Sequence, residues 1–237
     1  IKELIFIIKK FIHKKPQKYN KTAEIMQFFT GKIMGKKVKA AKNSTTKSGS
    51  SSGEKSDKKL RKISEEIAEL RKKYIKISAR QAGMDVSDYI LKDTDGNDVK
   101  LSEMFGDKDN LILIHNMGKA CSYCTLWADG FSGSAYYIEK KAAFVLVSPD
   151  APEVQKEFAA SRGWKFRTYS AAGTTFIADM GYYTEAEGYW PGCSVFHKDV
   201  DGKITRISKD YFGPGDFYSA PWHFFDLLPV TKEEKEK

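Results

Sequence analysis

Two cysteines, Cys121 and Cys124, lie between a short apolar run and a segment typical of a helix. The apolar run is residues 111–114 (LILI), and the segment after the pair begins at Thr125. A strand that leads through a loop into a helix places Cys121 at the helix N-terminus, where unpaired backbone N–H groups and the helix dipole favour negative charge. This arrangement constrains the fold of the chain more than any other feature.

The position of the first cysteine has a chemical consequence. A free thiol titrates near ~8.5, and a helix N-terminus lowers its pKa to roughly 3.5–7.5, so we expect Cys121 to be partly thiolate at neutral pH. Cys124 lies one helical turn further on, where it can attack a mixed disulfide formed by Cys121. The spacing is therefore typical of thiol–disulfide exchange.

The charge of the chain is divided unevenly. The net charge is +9, but residues 1–84 hold 23 Lys and Arg against 7 Asp and Glu, whereas residues 85–237 hold 17 against 24. A basic arm can bind nucleic acid or anionic lipid without specificity, but a solvated Lys-rich tail accounts for the same composition and is the favoured interpretation. We expect neither a specific nucleic-acid partner nor a membrane.

The chain has three cysteines, an odd and small number that does not make a disulfide framework. This number favours a reducing compartment, and we therefore expect a cytoplasmic protein. No run of about 20 apolar residues is present, as a membrane span would need. Residues 4–8 (LIFII) are too short for a signal peptide and are followed at once by Lys9 and Lys10. No cofactor is predicted.

The 237 residues have room for one domain of about 150 residues with extensions. Residues 1–33 lack a steady period, and Met34 is a plausible start, so we expect that these residues are not native to the working domain. Residues 35–57 have almost nothing apolar to bury and are predicted to be disordered. The expected parts are a disordered basic arm (1–58), an N-terminal helix (59–84), the main domain (85–230) and a charged tail (231–237).

The N-terminal helix carries one apolar face. Its apolar residues are spaced by 3, 4, 3, 4 and 3 positions, which is typical of a helix, and Gly83 is predicted to end it. They are Leu60, Ile63, Ile67, Leu70, Tyr74 and Ile77. A coiled-coil seam that forms a homodimer is one interpretation, but fewer than three heptads favour a helix that packs on its own domain.

The main domain alternates between short strands and helices, which predicts an α/β fold with a mixed central sheet flanked by helices. The predicted strands are 89–92, 99–101, 111–117, 142–148, 165–170, 194–197 and 203–208. The predicted helices are 102–106, the helix of the cysteine pair, which reaches about residue 141 with interruptions at Gly130 and Gly133, 152–162 closed by Gly163, and 219 to about 228.

This order of elements resembles the thioredoxin-like superfamily, and the leading hairpin (LKDTDGNDVKLSEMFG) is similar to its peroxiredoxin and thiol-specific-antioxidant branch. Residues 60–229 resemble a family of thioredoxin-like domains of unknown function, whose members are described as candidate dithiol-disulfide oxidoreductases without established substrates. The stretches that carry the resemblance are HNMGKACSYCTLWADGF, AAFVLVSPDAPEVQKEFAASRGWKF, PGCSVFHKD and WHFFDLLP. The implied partners are a protein or small-molecule disulfide and a thiol electron donor that the sequence does not identify.

The resemblance implies roles for individual residues. Cys121 matches the nucleophilic cysteine and Cys124 the resolving cysteine. Pro191 is similar to the proline that faces the cysteine pair, which is cis in thioredoxins and helps to shape the substrate groove. His115 stands where thioredoxins carry a buried aspartate, and it is expected to assist as a general base for Cys124 or as a cation that favours thiolate. A histidine held by a backbone group is an equal alternative.

Four further residues belong to the predicted surroundings of the pair. Ser122 and Tyr123 lie between the cysteines, and Tyr123 is similar to the tyrosine of the glutaredoxin C-P-Y-C. Trp127 is expected to cover the dithiol from within the core. Cys193 is either a third redox thiol beside the pair or, more often for such a cysteine, a small buried hydrophobic residue.

Two other classes of function compete with thiol exchange. Cys121, Cys124, Cys193 and His197 form a Cys₃His set that could hold zinc, but about 13 Å separates positions 193 and 197 along one strand. A thioredoxin fold used as a non-catalytic redox-sensing or binding module is the second alternative. Peroxiredoxins carry a Pro seven residues and a Thr three residues before their reactive cysteine. Neither residue is found at these positions when they are counted back from Cys121 or from Cys124, so a peroxidase is less favoured.

Overall fold

The structure is a computed structural model, and it describes residues 50–78 and 83–229. The predictions for residues 1–49, including a start at Met34, and for the tail from residue 230 onward lie outside the described residues. Helix α1 spans Ser50–Ser78. Residues 50–58 are thus helical, and the prediction that they are disordered is wrong, because an established helix extends at little cost even through polar residues. Met84 is also not helical, since it begins a strand.

Contacts divide the chain into two units, residues 1–67 and 68–237, and α1 runs through the boundary. Within the second unit, the predicted apolar face of α1 is largely open. Leu70, Tyr74 and Ile77 are 61%, 52% and 68% exposed. The hydroxyl of Tyr74 donates a hydrogen bond to the carboxylate of Asp210 at 2.9 Å. Homodimer formation through this face stays a prediction.

An eight-stranded mixed sheet forms the centre of the second unit, and it confirms the predicted α/β, thioredoxin-like fold. The strands of this sheet are β1 Met84–Val86, β2 Ile90–Lys92, β3 Asp98–Lys100, β4 Asn110–His115, β5 Ala143–Ser148, β6 Arg167–Ser170, β9 Gly192–Lys198 and β10 Ile204–Tyr211. Their order is β1-β10-β9-β4-β5-β6-β2-β3, in which β4, β5 and β6 are parallel neighbours and the other pairs are antiparallel. A separate small hairpin joins β7 (Tyr183–Thr184) to β8 (Gly188–Tyr189).

The helices of this unit follow the predicted order with one addition. They are a 3₁₀ helix Leu101–Phe105, α2 Ser122–Glu139, α3 Pro152–Arg162, α4 Phe176–Asp179 and α5 Ala220–Phe225. Gly163 ends α3 in the left-handed conformation (φ 66°), as predicted. Helix α4, β1 and the β7–β8 hairpin are not among the predicted elements. No helix in residues 50–78 or 83–229 has an apolar stretch long enough to cross a bilayer.

Helix α2 is continuous, so the predicted interruptions at Gly130 and Gly133 are wrong. Each glycine costs a helix about 1 kcal/mol relative to alanine. This cost is offset by packing, because Trp127, Phe131 and Ala135 on one side of α2 are all buried against the sheet. The two glycines lie away from that side, and a methyl group at either position would meet nothing within 4 Å.

The sheet separates two hydrophobic cores, and strand β4 contributes to both. Leu111 and Leu113 face one core, which is filled by residues from the 3₁₀ helix, α4 and Tyr182. Ile112 and Ile114 face the other core, which is filled by α2 and includes Cys124. Because side chains alternate along a strand, His115 belongs to the first face and points away from α2. This alternation decides which side chains can reach the cysteine pair.

Candidate active site

Cys121 caps the N-terminus of α2, as the sequence predicts. Its backbone is extended (φ −91°, ψ 104°), and its sulfur accepts the backbone N–H of Cys124 at 3.1 Å. The sulfur therefore takes the position that a Ser or Asp oxygen occupies in an ordinary N-cap. The N–H of Cys121 in turn donates to the carbonyl of Gly118 at 3.1 Å, which folds the preceding loop against the helix start.

The surroundings of Cys121 favour its thiolate. A hydrogen bond from the thiol of Cys124 lowers the pKa of Cys121 from 9.0 to about 7, with further help from the backbone N–H groups of Cys124 and Tyr123, while partial burial acts in the opposite direction. About half of the Cys121 thiols are ionised at pH 7 if the pKa is near 7. The side chain is only partly buried, so a disulfide in solution can reach it.

Cys124 has the complementary character. It is 2% exposed, and its pKa lies far above 9.0 because of its hydrogen bond with Cys121, its burial and the charge on Cys121. The backbone N–H of Met117 acts in the opposite direction and favours the Cys124 thiolate. The site thus holds one accessible sulfur that ionises readily and one buried sulfur that keeps its proton, and all three cysteines are free thiols.

Aromatic side chains enclose the pair on the side of α2. Trp127 is 2% exposed, and its ring lies 5.5 Å from that of Phe212 and 6.3 Å from that of Trp222. Tyr123 is half-buried, and its ring is 5.6 Å from that of Trp222 on α5. Trp127 therefore lies within the core that contains Cys124, in agreement with its predicted position. Ser122, between the cysteines, is also half-buried.

Two polar residues that the sequence analysis did not identify hold the loop before Cys121. Asn116 is 7% exposed, and its side chain accepts the N–H of Gly118 at 2.8 Å and donates to the carbonyl of Cys124 at 3.5 Å. Asp150, just beyond β5, accepts the N–H of Lys119 at 2.7 Å. Asn116 and Asp150 each follow one of two neighbouring parallel strands, whose carboxyl ends meet at one edge of the sheet. Their positions directly after two apolar strands in the sequence could therefore have identified them.

The predicted role of His115 beside the cysteines is wrong. Its ring stacks on Tyr182 with centroids 3.7 Å apart, and its Nε2 lies 2.9 Å from the hydroxyl of Ser194, all on the face opposite α2. Burial, reinforced by the positive charges of Arg206 and Lys209, holds the pKa of His115 well below 6.5. The imidazole is therefore neutral at pH 7 and cannot act as a cation that favours thiolate.

Pro191 lies at the correct end of the sheet but differs from the expected geometry. The residue after it, Gly192, pairs with His115 at the end of β4, where the loop to Cys121 begins. Residues 50–78 and 83–229 contain no cis peptide bond, so the cis proline implied by the resemblance is not found. The carbonyl of Pro191 accepts the N–H of Phe212 at 2.9 Å, which ties Pro191 to the residue directly after β10.

Cys193 has the character of a buried packing residue. It is 7% exposed, lies in the same core as Cys124, and pairs with Ile114 across the sheet. Burial, followed by the charge of Asp210, raises the pKa of its thiol to about 11. Of the two alternatives for this residue, the structure favours the buried hydrophobic one.

The residues of the zinc alternative do not come together. His197 pairs with Asn110 at the start of β4, and its Nδ1 lies 3.1 Å from the Asn110 side chain. The cysteine pair follows the other end of β4, about 17 Å away at roughly 3.4 Å per residue. Within the part of the chain that the structure describes, no three His, Cys, Asp or Glu side chains form a group that could hold a metal ion.

The fold and the site together define a thioredoxin-like protein with a dithiol at a helix N-terminus. The chain belongs to the family described as "Bacterial protein of unknown function (DUF899)", which it matches over residues 53–237.

Several solved structures are similar to the chain at low identity. Peroxidoxin BcpB from Mycobacterium tuberculosis is 25% identical with a TM-score of 0.44, over 54% of this chain and 84% of that one. PrxQ from Xylella fastidiosa is 13% identical with a TM-score of 0.49, over 61% and 94%. Reduced Prx3 from Vibrio vulnificus is 13% identical with a TM-score of 0.48, over 62% and 97%. No curated protein matches the chain.

Proposed function

We propose that the protein is a dithiol-disulfide oxidoreductase that exchanges electrons with a protein or small-molecule disulfide. The observation that carries the proposal is the opposite ionisation of two adjacent sulfurs. Cys121 is accessible with a pKa of about 7, whereas Cys124 is buried with a raised pKa. A nucleophile must be ionised and reachable, and a resolving thiol must stay protonated until the mixed disulfide has formed.

The reaction proceeds in two exchanges. The Cys121 thiolate attacks one sulfur of the substrate disulfide, a mixed disulfide forms, and the other substrate sulfur leaves as a thiolate that takes up a proton. Cys124 then loses its proton and attacks the Cys121 sulfur, which forms the Cys121–Cys124 disulfide and releases the second substrate thiol. Two electrons pass from the protein to the substrate, and a thiol donor returns the pair to the dithiol.

The groups around Cys121 suit this role. Ser122 and Tyr123 are half-buried beside it, and Pro191 is half-buried at the same end of the sheet. We assign these three residues to the border of the substrate groove. Trp127 packs beneath the dithiol and keeps α2 in place.

Reduction of insulin with dithiothreitol as the electron donor tests the proposal. Wild-type protein should accelerate the reaction, and Cys121→Ser should reduce it to the uncatalysed rate because the attacking sulfur is lost. When Cys124→Ser is mixed with a small-molecule disulfide in the absence of dithiothreitol, it should accumulate a mixed disulfide on Cys121, detected as a mass increase, because the resolving thiol is lost. Equal turnover by wild type and Cys121→Ser would refute the proposal.

Cys193→Ala provides the matched control, since it removes a cysteine of the same core that lies outside the pair. Its activity should match that of wild type.

Alkylation with iodoacetamide near pH 7 separates an exchange enzyme from a structural use of the pair. Cys121 should be modified first, and a Cys121 that resists alkylation would count against the proposed function.

A further inference from the structure

Helix α5 and the residues directly after it expose several large apolar side chains. Phe224 and Phe225 in the helix, and Leu227 and Leu228 beyond it, are each more than half exposed. A single exposed apolar side chain is ordinary in a folded protein, but a contiguous group of them marks a surface that another molecule covers. None of these side chains has a part in the chemistry described so far.

Ring contacts connect this segment to the cysteine pair. Phe225 and Trp222 lie one turn apart on α5, and their ring centroids are 6.1 Å apart. The ring of Trp222 lies in turn 5.6 Å from that of Tyr123. Tyr123, Trp222 and Cys121 all pack against the core that contains Cys124. Tyr123, Trp222 and Phe225 thus form an aromatic row that starts beside the reactive sulfur and ends in solvent.

The inner end of the aromatic row is held in place by the core. The ring of Trp222 lies 6.3 Å from that of Trp127, which lies 5.5 Å from that of Phe212. Phe212 is tied through its backbone N–H to the carbonyl of Pro191 at 2.9 Å. The row is therefore positioned before a substrate arrives, which lowers the entropy cost of binding. Only the outer ring, that of Phe225, is largely open to solvent.

The chemistry of Cys121 points to the molecule that covers the row. In the mixed disulfide the substrate sulfur is bonded to Cys121, so the atoms next to that sulfur lie near Tyr123. A small disulfide ends there, whereas a polypeptide continues, and about four extended residues, at roughly 3.3–3.6 Å each, cover the two ring spacings to Phe225. Residues 85–237 hold 17 Lys and Arg against 24 Asp and Glu, which disfavours an anionic membrane as the occupant.

We propose that the aromatic row binds apolar residues that flank the reactive cysteine of a polypeptide disulfide. The proposal rests on the proposed function and narrows its substrate class to peptide or protein disulfides with apolar neighbours. Phe225 is the specificity-determining residue, because its ring is the most exposed of the row and gains most from contact with an apolar side chain. Cys121 and Cys124 carry out the exchange itself.

Oxidation of the reduced full-length protein by two matched peptide disulfides tests the proposal. Each probe is a disulfide-linked dimer of a blocked pentapeptide whose central cysteine is surrounded by Leu and Phe in one probe and by Ser and Gly in the other. One turnover oxidises Cys121 and Cys124 to a disulfide and reduces the probe to two peptide thiols. Quenching with iodoacetamide and measuring the mass of the protein gives the fraction oxidised. Each rate is divided by that of the same probe with dithiothreitol, which corrects for intrinsic reactivity.

The wild-type protein should react about tenfold faster with the Leu–Phe probe, because removing about two methylene groups from water corresponds to about a tenfold change. Phe225→Ser should bring the ratio of the two rates to within about twofold of unity, since the exposed ring is lost. Phe225→Leu retains an apolar side chain and should keep most of the ratio. The ratio compares two probes in one variant, so it does not depend on the ionised fraction of Cys121.

Tyr137→Ser is the matched control. It removes an exposed ring from α2, about 20 Å along the helix from Cys124 at 1.5 Å per residue, and should keep the wild-type ratio. If Phe225→Ser does not fold, Phe225→Gln carries the same expectation with a longer polar side chain. The wild-type comparison needs no variant at all.

Each remaining outcome overturns one claim. A wild-type ratio near one overturns the recognition of apolar residues. A ratio that persists in folded Phe225→Ser, or that falls equally in Tyr137→Ser, overturns its assignment to the row. A dimer in sedimentation, or binding to phosphatidylglycerol vesicles, that Phe225→Ser abolishes while the probes react equally assigns the surface to another occupant and overturns the proposal. Failure of both probes and of 2-hydroxyethyl disulfide to oxidise the pair contradicts the proposed function itself.

Discussion

The pKa of Cys121 provides the sharpest test of the site. The hydrogen bond from the thiol of Cys124 is the largest cause of the lowered pKa, so Cys124→Ala should raise the pKa of Cys121 toward 9.0. A hydrogen bond to a charged group contributes about 1.5–3 kcal/mol, which corresponds to roughly one to two pKa units. Cys124→Ser keeps a donor at the same position and should produce a smaller rise.

The expected reactivity at pH 7 follows from this pKa. A thiol with a pKa of about 7 is roughly one-half ionised at pH 7, whereas one with a pKa of 9.0 is about 1% ionised, a difference of about 50-fold in thiolate. A thiolate of lower pKa is intrinsically less nucleophilic, by about eightfold over two units. The net gain in alkylation rate at pH 7 is therefore about sixfold over an ordinary thiol.

The assay is the rate of iodoacetamide alkylation of Cys121 between pH 5 and pH 10, together with thiolate absorbance near 240 nm. Cys193→Ala is the control and should give the wild-type midpoint, because Cys193 is not among the groups that shift Cys121. If the alkylation rate of wild-type Cys121 had its midpoint near pH 9, the claim that the site lowers the pKa of Cys121 would be refuted. A midpoint that is the same in Cys124→Ala and wild type would refute the assignment of the lowering to Cys124.

The position of Cys121 could be predicted because its signals are local. An apolar run, a short loop and a helix follow one another within about 20 residues, and a helix that starts after Cys121 places its free amides at that sulfur whatever the rest of the fold. The pairing of strands 89–92 and 99–101 around the Asp95–Gly96 turn has the same local origin and is also found.

The surroundings of the pair depend on contacts between residues far apart in the chain. Strand β4 is buried on both faces, so its continuous apolar sequence does not show which face receives α2. The placement of His115 on the opposite face therefore needed the structure. The contact of Lys119 with Asp150 joins positions 31 residues apart, and only the parallel pairing of β4 with β5 brings them together.

The remaining predictions concern side chains on the two faces of the sheet. Trp127→Ala should lower the free energy of unfolding by about 3–5 kcal/mol in urea titrations, because the indole is 2% exposed, whereas Tyr137→Ala on the same helix, where the ring is 69% exposed, should change it by less than about 0.5 kcal/mol. Similar losses in both would contradict the packing of α2. His115 should make the fold sensitive to acid. Its folded pKa lies well below 6.5, so below pH 6.5 the unfolded chain binds a proton that the folded chain does not, and stability falls as the pH decreases. The loss attributable to this group is at most about 1 kcal/mol between pH 6.5 and pH 5.5, and almost none of it appears above pH 7.5. His115→Phe, compared with wild type by urea titration at each pH, should lack this part of the slope, while His223→Phe, which replaces an exposed imidazole, should retain it. Equal slopes in wild type and His115→Phe would mean that His115 accepts a proton in the folded protein, and the neutral, buried imidazole described above would be wrong.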